Sequence, residues 1–184
     1  MVKRVLAVAV GGGALAVAVL LALPVLLLTV LTVGQPEGTH TDGPEAWGGH
    51  SNGKIPLEEM CALPWAPTRY LRCDAAEALT RLDDFYVVEH GKHICVTDAY
   101  RDYATQVRLK REKGVYAAEP GTSNHGWGLA VDLCGGVNRF NTPEHDWMAR
   151  WAPHALWVNP EWARDGKVPD EPWHWEFQGA WDGE

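Results

Sequence analysis

Two short stretches carry residues able to do chemistry together: SNHGWGLAVDL, residues 123–133, and EPWHWEF, residues 171–177. In the first, Gly128 to Leu133 reads as a short buried strand, yet Asp132 sits inside it between Val131 and Leu133. A lone buried carboxylate is costly unless a cation or hydrogen-bond donors meet it. Gly126 and Gly128 let the backbone turn sharply before the strand, so His125 at its mouth and Asp132 within it can converge. Their spacing of seven is odd, however, and would put them on opposite faces of a straight strand. The second stretch supplies Glu171 and His174. Two imidazoles and one carboxylate around one point make three N/O ligands, the number a catalytic zinc site uses with its fourth position open. A divalent cation would also supply the positive partner that Asp132 needs. The same residues fit a plainer arrangement, a hydrogen-bonded His125–Asp132 pair with His174 packed between Trp173 and Trp175. Unlike H-E-x-x-H, this spacing is not a one-helix ligand pair, and spacing alone leaves both readings open.

The elements that must position these residues can be read coarsely. Asp74 can cap a helix over about 75–89, with Ala75, Ala78, Leu79, Leu82, Phe85 and Tyr86 on one face and Gly91 ending it. HICVTDA, residues 93–99, is a β-rich strand. A second helix is expected from Tyr103 to Lys113, stopping at Gly114, before a loop over 115–124. Thr142 followed by Pro143 marks a third helix running to about Trp151. Residues 168–177 form a loop entering a last strand. Helices mixed with antiparallel strands, without βαβ alternation, predict an α+β domain.

The chain has 184 residues and does not begin with that domain. Residues 5–33 are almost purely apolar and follow Lys3 and Arg4. About 20 apolar residues span a bilayer, so the run predicts a transmembrane anchor with residues 1–4 cytoplasmic and the rest exported. A cleaved signal peptide is the rival, but its apolar region is shorter and a small-x-small site is not evident. Residues 34–56, rich in Gly and Pro, read as a flexible linker, leaving 57–184 as the exported domain. From residue 34 onward 14 basic residues face 24 acidic ones, a net of −10, which argues against a nucleic-acid partner. Cys61, Cys73, Cys95 and Cys134 read as two disulfides with three possible connectivities. Should the strands bearing Cys95 and Cys134 be neighbours, a bridge across them would stiffen the site, leaving Cys61 with Cys73.

S-x-H-x-x-G-x-A-x-D (Ser123, His125, Gly128, Ala130, Asp132), followed by E-x-W-H (Glu171, Trp173, His174), resembles the zinc D-alanyl-D-alanine carboxypeptidases of the VanY type, metallopeptidase family M15. AYRDYATQ, residues 99–106, is similar to that family's G-Y-R-S-x-x-x-Q segment, and residues 142–163 to its region between the two zinc motifs. Asp98, Ala99 and Asp102 depart from the family's usual residues. The resemblance covers roughly residues 57–179. It implies a small hedgehog/DD-peptidase-like α+β domain with a central antiparallel sheet. It further implies Zn²⁺ on His125, Asp132 and His174, and Glu171 as the general base that takes a proton from the attacking water. Arg101, a planar cation, suits either a substrate carboxylate or a developing oxyanion. Ser123 and Trp173 are expected beside the substrate, Gln106 to brace the arginine loop, and Glu176 to support the ligands rather than act as base.

The function expected is removal of the C-terminal D-alanine from a peptidoglycan stem peptide by a membrane-anchored enzyme. Two alternatives use the same residues: an endopeptidase with the same zinc site, and a non-catalytic zinc-stapled domain that binds the wall. A purely structural site would normally be closed by four protein ligands.

Overall fold

A computed structural model describes residues 49–179. The expected anchor over 5–33 and most of the expected linker lie outside the described residues. The domain opens with a hairpin, β1 (Cys61–Leu63) and β2 (Ala66–Leu71), followed by α1 (Cys73–His90). Then come β3 (Val96–Asp98), α2 (Tyr103–Lys113), β4 (Ala130–Leu133), α3 (Pro143–Trp151), β5 (Trp157–Val158) and β6 (His174–Phe177). The last four strands form one antiparallel sheet in the order β3-β4-β6-β5. This is the α+β architecture expected.

Helices whose ends carry strong stop signals fall where their residues place them. In α2 the Asp102 carboxylate accepts from Thr105 N at 2.7 Å, so the aspartate caps the helix as a serine would. Thr142 accepts from His145 N at the head of α3, with Pro143 next in line. The start of α1 differs from expectation. The helix begins at Cys73, and Asp74 lies inside its first turn, bonded to Ala75 N and to Arg72. An acid there favours the helix dipole without being the cap. Phe85, expected on the same face as Leu79 and Leu82, is 44% exposed and lays its ring against Trp147 and Trp151.

The strand expected over 93–99 contributes only Val96–Asp98 to the ladder, because its first half bonds elsewhere. His93 Nδ1 lies 2.6 Å from the buried Asp83 carboxylate and Ile94 N donates to it, so the pairing with β4 starts only at Cys95, whose O accepts from Cys134 N. Disulfides join Cys95 to Cys134 and Cys61 to Cys73. The first ties β3's approach to β4's exit, as the neighbouring-strand reading requires.

Side-chain alternation divides the large sheet into two faces. Val131, Leu133, Trp175 and Phe177 enter one apolar cluster with Leu79, Leu82 and Tyr86 of α1. Their neighbours in the strands, Asp132, His174 and Glu176, look the other way. The register aligns Asp98 with Asp132 and Asp132 with His174. Packing also reaches further back than the boundary expected at Leu57: Asn52 and Ile55 are buried, and Gly53 N donates to Gly126 O.

Gly128 ends the turn before β4 with φ +65°. A Cβ there would meet Met60 Cε and come within 2.8 Å of Arg72 N, whose own bond runs to Gly128 O. Gly128→Ala therefore combines left-handed strain with a backbone clash, and is expected to lose about 3 kcal/mol in urea unfolding. A change below about 0.5 kcal/mol, the usual range for surface substitutions, would contradict this account.

Candidate metal centre

His125 does not lie on the strand. It occupies a 3₁₀ turn, Asn124–Trp127, that Gly128 closes in the left-handed conformation. This turn resolves the odd spacing, since only Ala130–Leu133 obeys strand alternation. The ring then swings over the sheet, and Nδ1 donates to Ala99 O at 2.7 Å. That bond fixes the tautomer and leaves Nε2 as a lone-pair donor, 3.3 Å from Asp132 Oδ1. His174, paired with Asp132 across β4–β6, brings Nδ1 to 3.1 Å from the same oxygen. Its other nitrogen, Nε2, lies 3.0 Å from Glu176 Oε1.

One ligand atom from each of His125, Asp132 and His174 lies within 4.8 Å of the other two. Both histidines bind an acceptor through the far ring nitrogen and direct the near one inward, the arrangement that orients imidazoles for a metal. The donor set of two nitrogens and a carboxylate fits a divalent ion of zinc's type. Among the described residues, no other group of three or more His, Cys, Asp or Glu side chains is placed to hold a metal.

Electrostatics bear the same signature. Burial pushes the Asp132 carboxyl up, but the two imidazoles outweigh it and hold the group far below the usual carboxylate range. Burial likewise opposes the charge on His174, yet hydrogen bonds to Asp132 and Glu176 raise its pKa to about 9. Glu176 is lowered by that same bond against its own desolvation. Glu171 is raised, chiefly by burial, with His174 opposing and Asp132 adding to the effect.

The remaining expected residues gather at one cleft of about 510 Å³, which Arg101, Ser123, Glu171 and Trp173 line together with the ligand triad. Arg101 is held tightly: Nε and Nη2 reach Asp98 Oδ2 at 3.0 and 2.6 Å, and Nη1 donates to Gln106 Oε1 at 2.9 Å. Gln106 in turn donates to Ala118 O, so it braces the arginine against the cleft wall. Ser123 precedes the histidine turn, and its side chain does not cap it. Trp173 is 37% exposed at the rim. Three contributors carried no sequence signal. Asn159 donates to both Glu171 O and His174 O, fixing the spacing between them. Trp162 packs its ring against His174 at 5.1 Å. Asn52 donates to Ser123 O beneath the histidine turn.

A family profile described as VanY, D-alanyl-D-alanine carboxypeptidase, matches residues 68–180. The chain belongs to this family. It is an enzyme of the peptidase class, built on the VanY fold. Three solved structures are similar. VanYB in complex with D-alanine-D-alanine aligns with TM-score 0.52 at 23% identity, over 68% of this chain and 81% of that one. A mutant of the vancomycin-resistance D,D-pentapeptidase VanY in complex with Zn(II) aligns with TM-score 0.51 at 22% identity, over 66% and 79%. The D,D-dipeptidase VanXYg, in complex with a D-Ala-D-Ala phosphinate analogue, aligns with TM-score 0.53 at 24% identity, over 67% and 57%. At these identities the likeness is one of fold. No curated relative matches the chain.

A metal at the triad must displace the His174 proton. Below about pH 9 the metal-free ring holds that proton, so apparent affinity for Zn²⁺ is expected to climb about tenfold per pH unit and level off above 9. Linkage has the opposite sign for the metal-free protein. The charged His174 stabilises its fold fully below about pH 6.5, and this contribution disappears as pH rises through about 9. Competition with a chromophoric chelator between pH 6 and 9 reads the first effect. A flat profile would contradict the raised His174 pKa.

Proposed function

We propose that this protein is a zinc-dependent D,D-carboxypeptidase that hydrolyses the bond before the C-terminal D-alanine of peptidoglycan stem peptides. The observation that carries this reading is the convergence of His125, Asp132 and His174 in one cleft with a half-buried carboxyl, Glu171, whose pKa is raised. The similar structures bound to D-alanine-D-alanine, to Zn(II) and to a phosphinate analogue add support for the substrate and the ion.

His125 through Nε2, Asp132 through its carboxylate and His174 through Nδ1 would hold the ion. When bound, Zn²⁺ supplies Lewis acidity that polarises the scissile carbonyl and lowers the pKa of the attacking water. Glu171 takes a proton from that water as it adds to the carbonyl carbon. The carboxyl then returns the proton to the amine of D-alanine as the C–N bond breaks, and the stem peptide keeps the new carboxylate. Burial moves Glu171 toward neutrality, which suits a group that must both accept and give a proton near pH 7. Arg101 lies beside Asp132, Nη2 to Oδ2 3.6 Å, and stabilises the charge developing on the carbonyl oxygen. Ser123 and Trp173 border the path of the peptide. The apolar run over 5–33 adds, from the sequence alone, the expectation that this chemistry takes place outside the cell at the membrane surface.

Two experiments test the reading. Purified protein given a peptide ending in D-Ala-D-Ala is expected to release free D-alanine, to stop when chelated and to recover with added Zn²⁺. Soluble fragments from intact wall with no alanine release would point to an endopeptidase instead. Glu171→Ala is expected to retain one zinc per chain by metal analysis while hydrolysis falls about 10³-fold. Undiminished turnover in that variant removes Glu171 from the mechanism.

A further inference from the structure

Glu171 precedes β6 and belongs to no helix or strand, and its carboxyl makes no hydrogen bond or ion pair among the described residues. No bond at the carboxyl fixes where it stands, so the backbone beneath it must. One segment, 159–164, holds that backbone from both sides. Ala163 O accepts from Glu171 N at 2.8 Å, and Asn159 Nδ2 donates to Glu171 O at 3.1 Å. The same amide nitrogen donates to His174 O at 2.8 Å. Both of its hydrogens are thereby spent, one on the carbonyl of each residue. Arg164 Nε donates to Asn159 O at 3.1 Å and closes the segment on itself. Asn159 and Ala163 are both buried, so the bracket belongs to the packed interior.

His174 has other supports. It lies in the β4–β6 ladder opposite Asp132, and its ring meets Glu176 at 3.0 Å. Glu171 has no ladder and no side-chain partner to replace the bracket. Asn159 itself stands away from the cleft, whose lining does not include it. It borders a separate cavity of about 490 Å³ together with Arg164 and Trp175. Any influence it has on hydrolysis must pass through the residues it holds.

We propose that Asn159 is a positioning residue for the hydrolysis. By tying Glu171 O to His174 O, its amide sets how far the Glu171 carboxyl stands from an ion held by His125, Asp132 and His174. The inference rests on the carboxypeptidase reading and extends it to a residue that touches neither substrate nor ion. A base must lie within hydrogen-bond reach of the water it deprotonates, and a misplacement of about 1 Å costs about 100-fold in rate.

Asn159→Ala tests this in three ways. In the metal-free protein, amide hydrogen exchange followed by NMR is expected to speed up about tenfold at Glu171 and to stay within about twofold across β4. In the zinc-loaded enzyme, acting on a peptide ending in D-Ala-D-Ala, kcat is expected to fall about 100-fold. KM should stay within about twofold, with one zinc per chain retained. In the Glu171→Ala background the same substitution should lower the residual rate by less than about twofold, since a residue acting through Glu171 has nothing left to place. Asn159→Ser, a smaller change that returns one donor, is expected to lower kcat about tenfold, and it carries the same comparisons should Asn159→Ala not fold. A kcat within about twofold of wild type, unaltered exchange at Glu171, or an equal fall in both backgrounds overturns the assignment. Normal release of D-alanine by wild type together with any of these results sinks the Asn159 role alone. A wild-type enzyme that releases no D-alanine sinks the carboxypeptidase reading and this inference with it.

Discussion

The structure is organised around one carboxylate in the middle of a sheet. Asp132 sits on β4, flanked in register by Asp98 on one side and His174 on the other. Its environment would expel a charge were the imidazoles of His125 and His174 and the Arg101 guanidinium not directed at it. Three elements distant in sequence must therefore arrive together: the arginine loop after β3, the turn before β4, and the start of β6. Four carboxylates (Asp98, Asp132, Glu171 and Glu176) stand in or beside the cleft. Such a collection calls for a divalent cation, and the charge excess that would destabilise a metal-free site favours an occupied one.

The sheet carries this arrangement because its two faces do different jobs. One packs Val131, Leu133 and Trp175 into the core, so the strands cannot slide without exposing them. A slip of one residue would turn Asp132 and His174 into the apolar cluster, and register is thereby enforced by hydrophobic burial on the far side of the site. The Cys95–Cys134 bridge adds a covalent tie two residues past Asp132. Stiffness of this kind is what a metal ligand set needs, since its geometry tolerates only about 0.5 Å of error.

Much of this was legible in the residues, and where it was not the reason is physical. The C-terminal stop of α2 and the head of α3 could be read because Gly114, Thr142 and Pro143 act locally, whereas the Asp102 cap shows only in the fold. The strands were harder: β3 is shorter than its β-branched run because Asp83, far along the chain, draws Ile94 N out of the ladder. The candidate metal-binding group of His125, Asp132 and His174 could be named through a family resemblance, whereas spacing alone left it beside a plain hydrogen-bonded pair. Only the 3₁₀ turn at Asn124–Trp127 shows how His125 and Asp132 reach one face. Asn159, Trp162 and Asn52 owe their positions wholly to tertiary packing, and no local pattern marks them. The apolar run over 5–33 is legible as a bilayer-spanning length but falls outside the described residues.

The stretch just ahead of the first hairpin has a consequence for anyone handling this protein. Asn52 and Gly53 clasp the underside of the turn that presents His125: Asn52 Nδ2 reaches Ser123 O, Gly53 N reaches Gly126 O, and Gly53 O accepts from Tyr103 N. A chain trimmed at Leu57, where composition alone would place the domain's edge, keeps every residue of the candidate site named from the sequence and loses only Ile55 from the apolar cluster. It would nonetheless surrender the floor on which the His125 imidazole rests, turning a rigid side chain into a loose one.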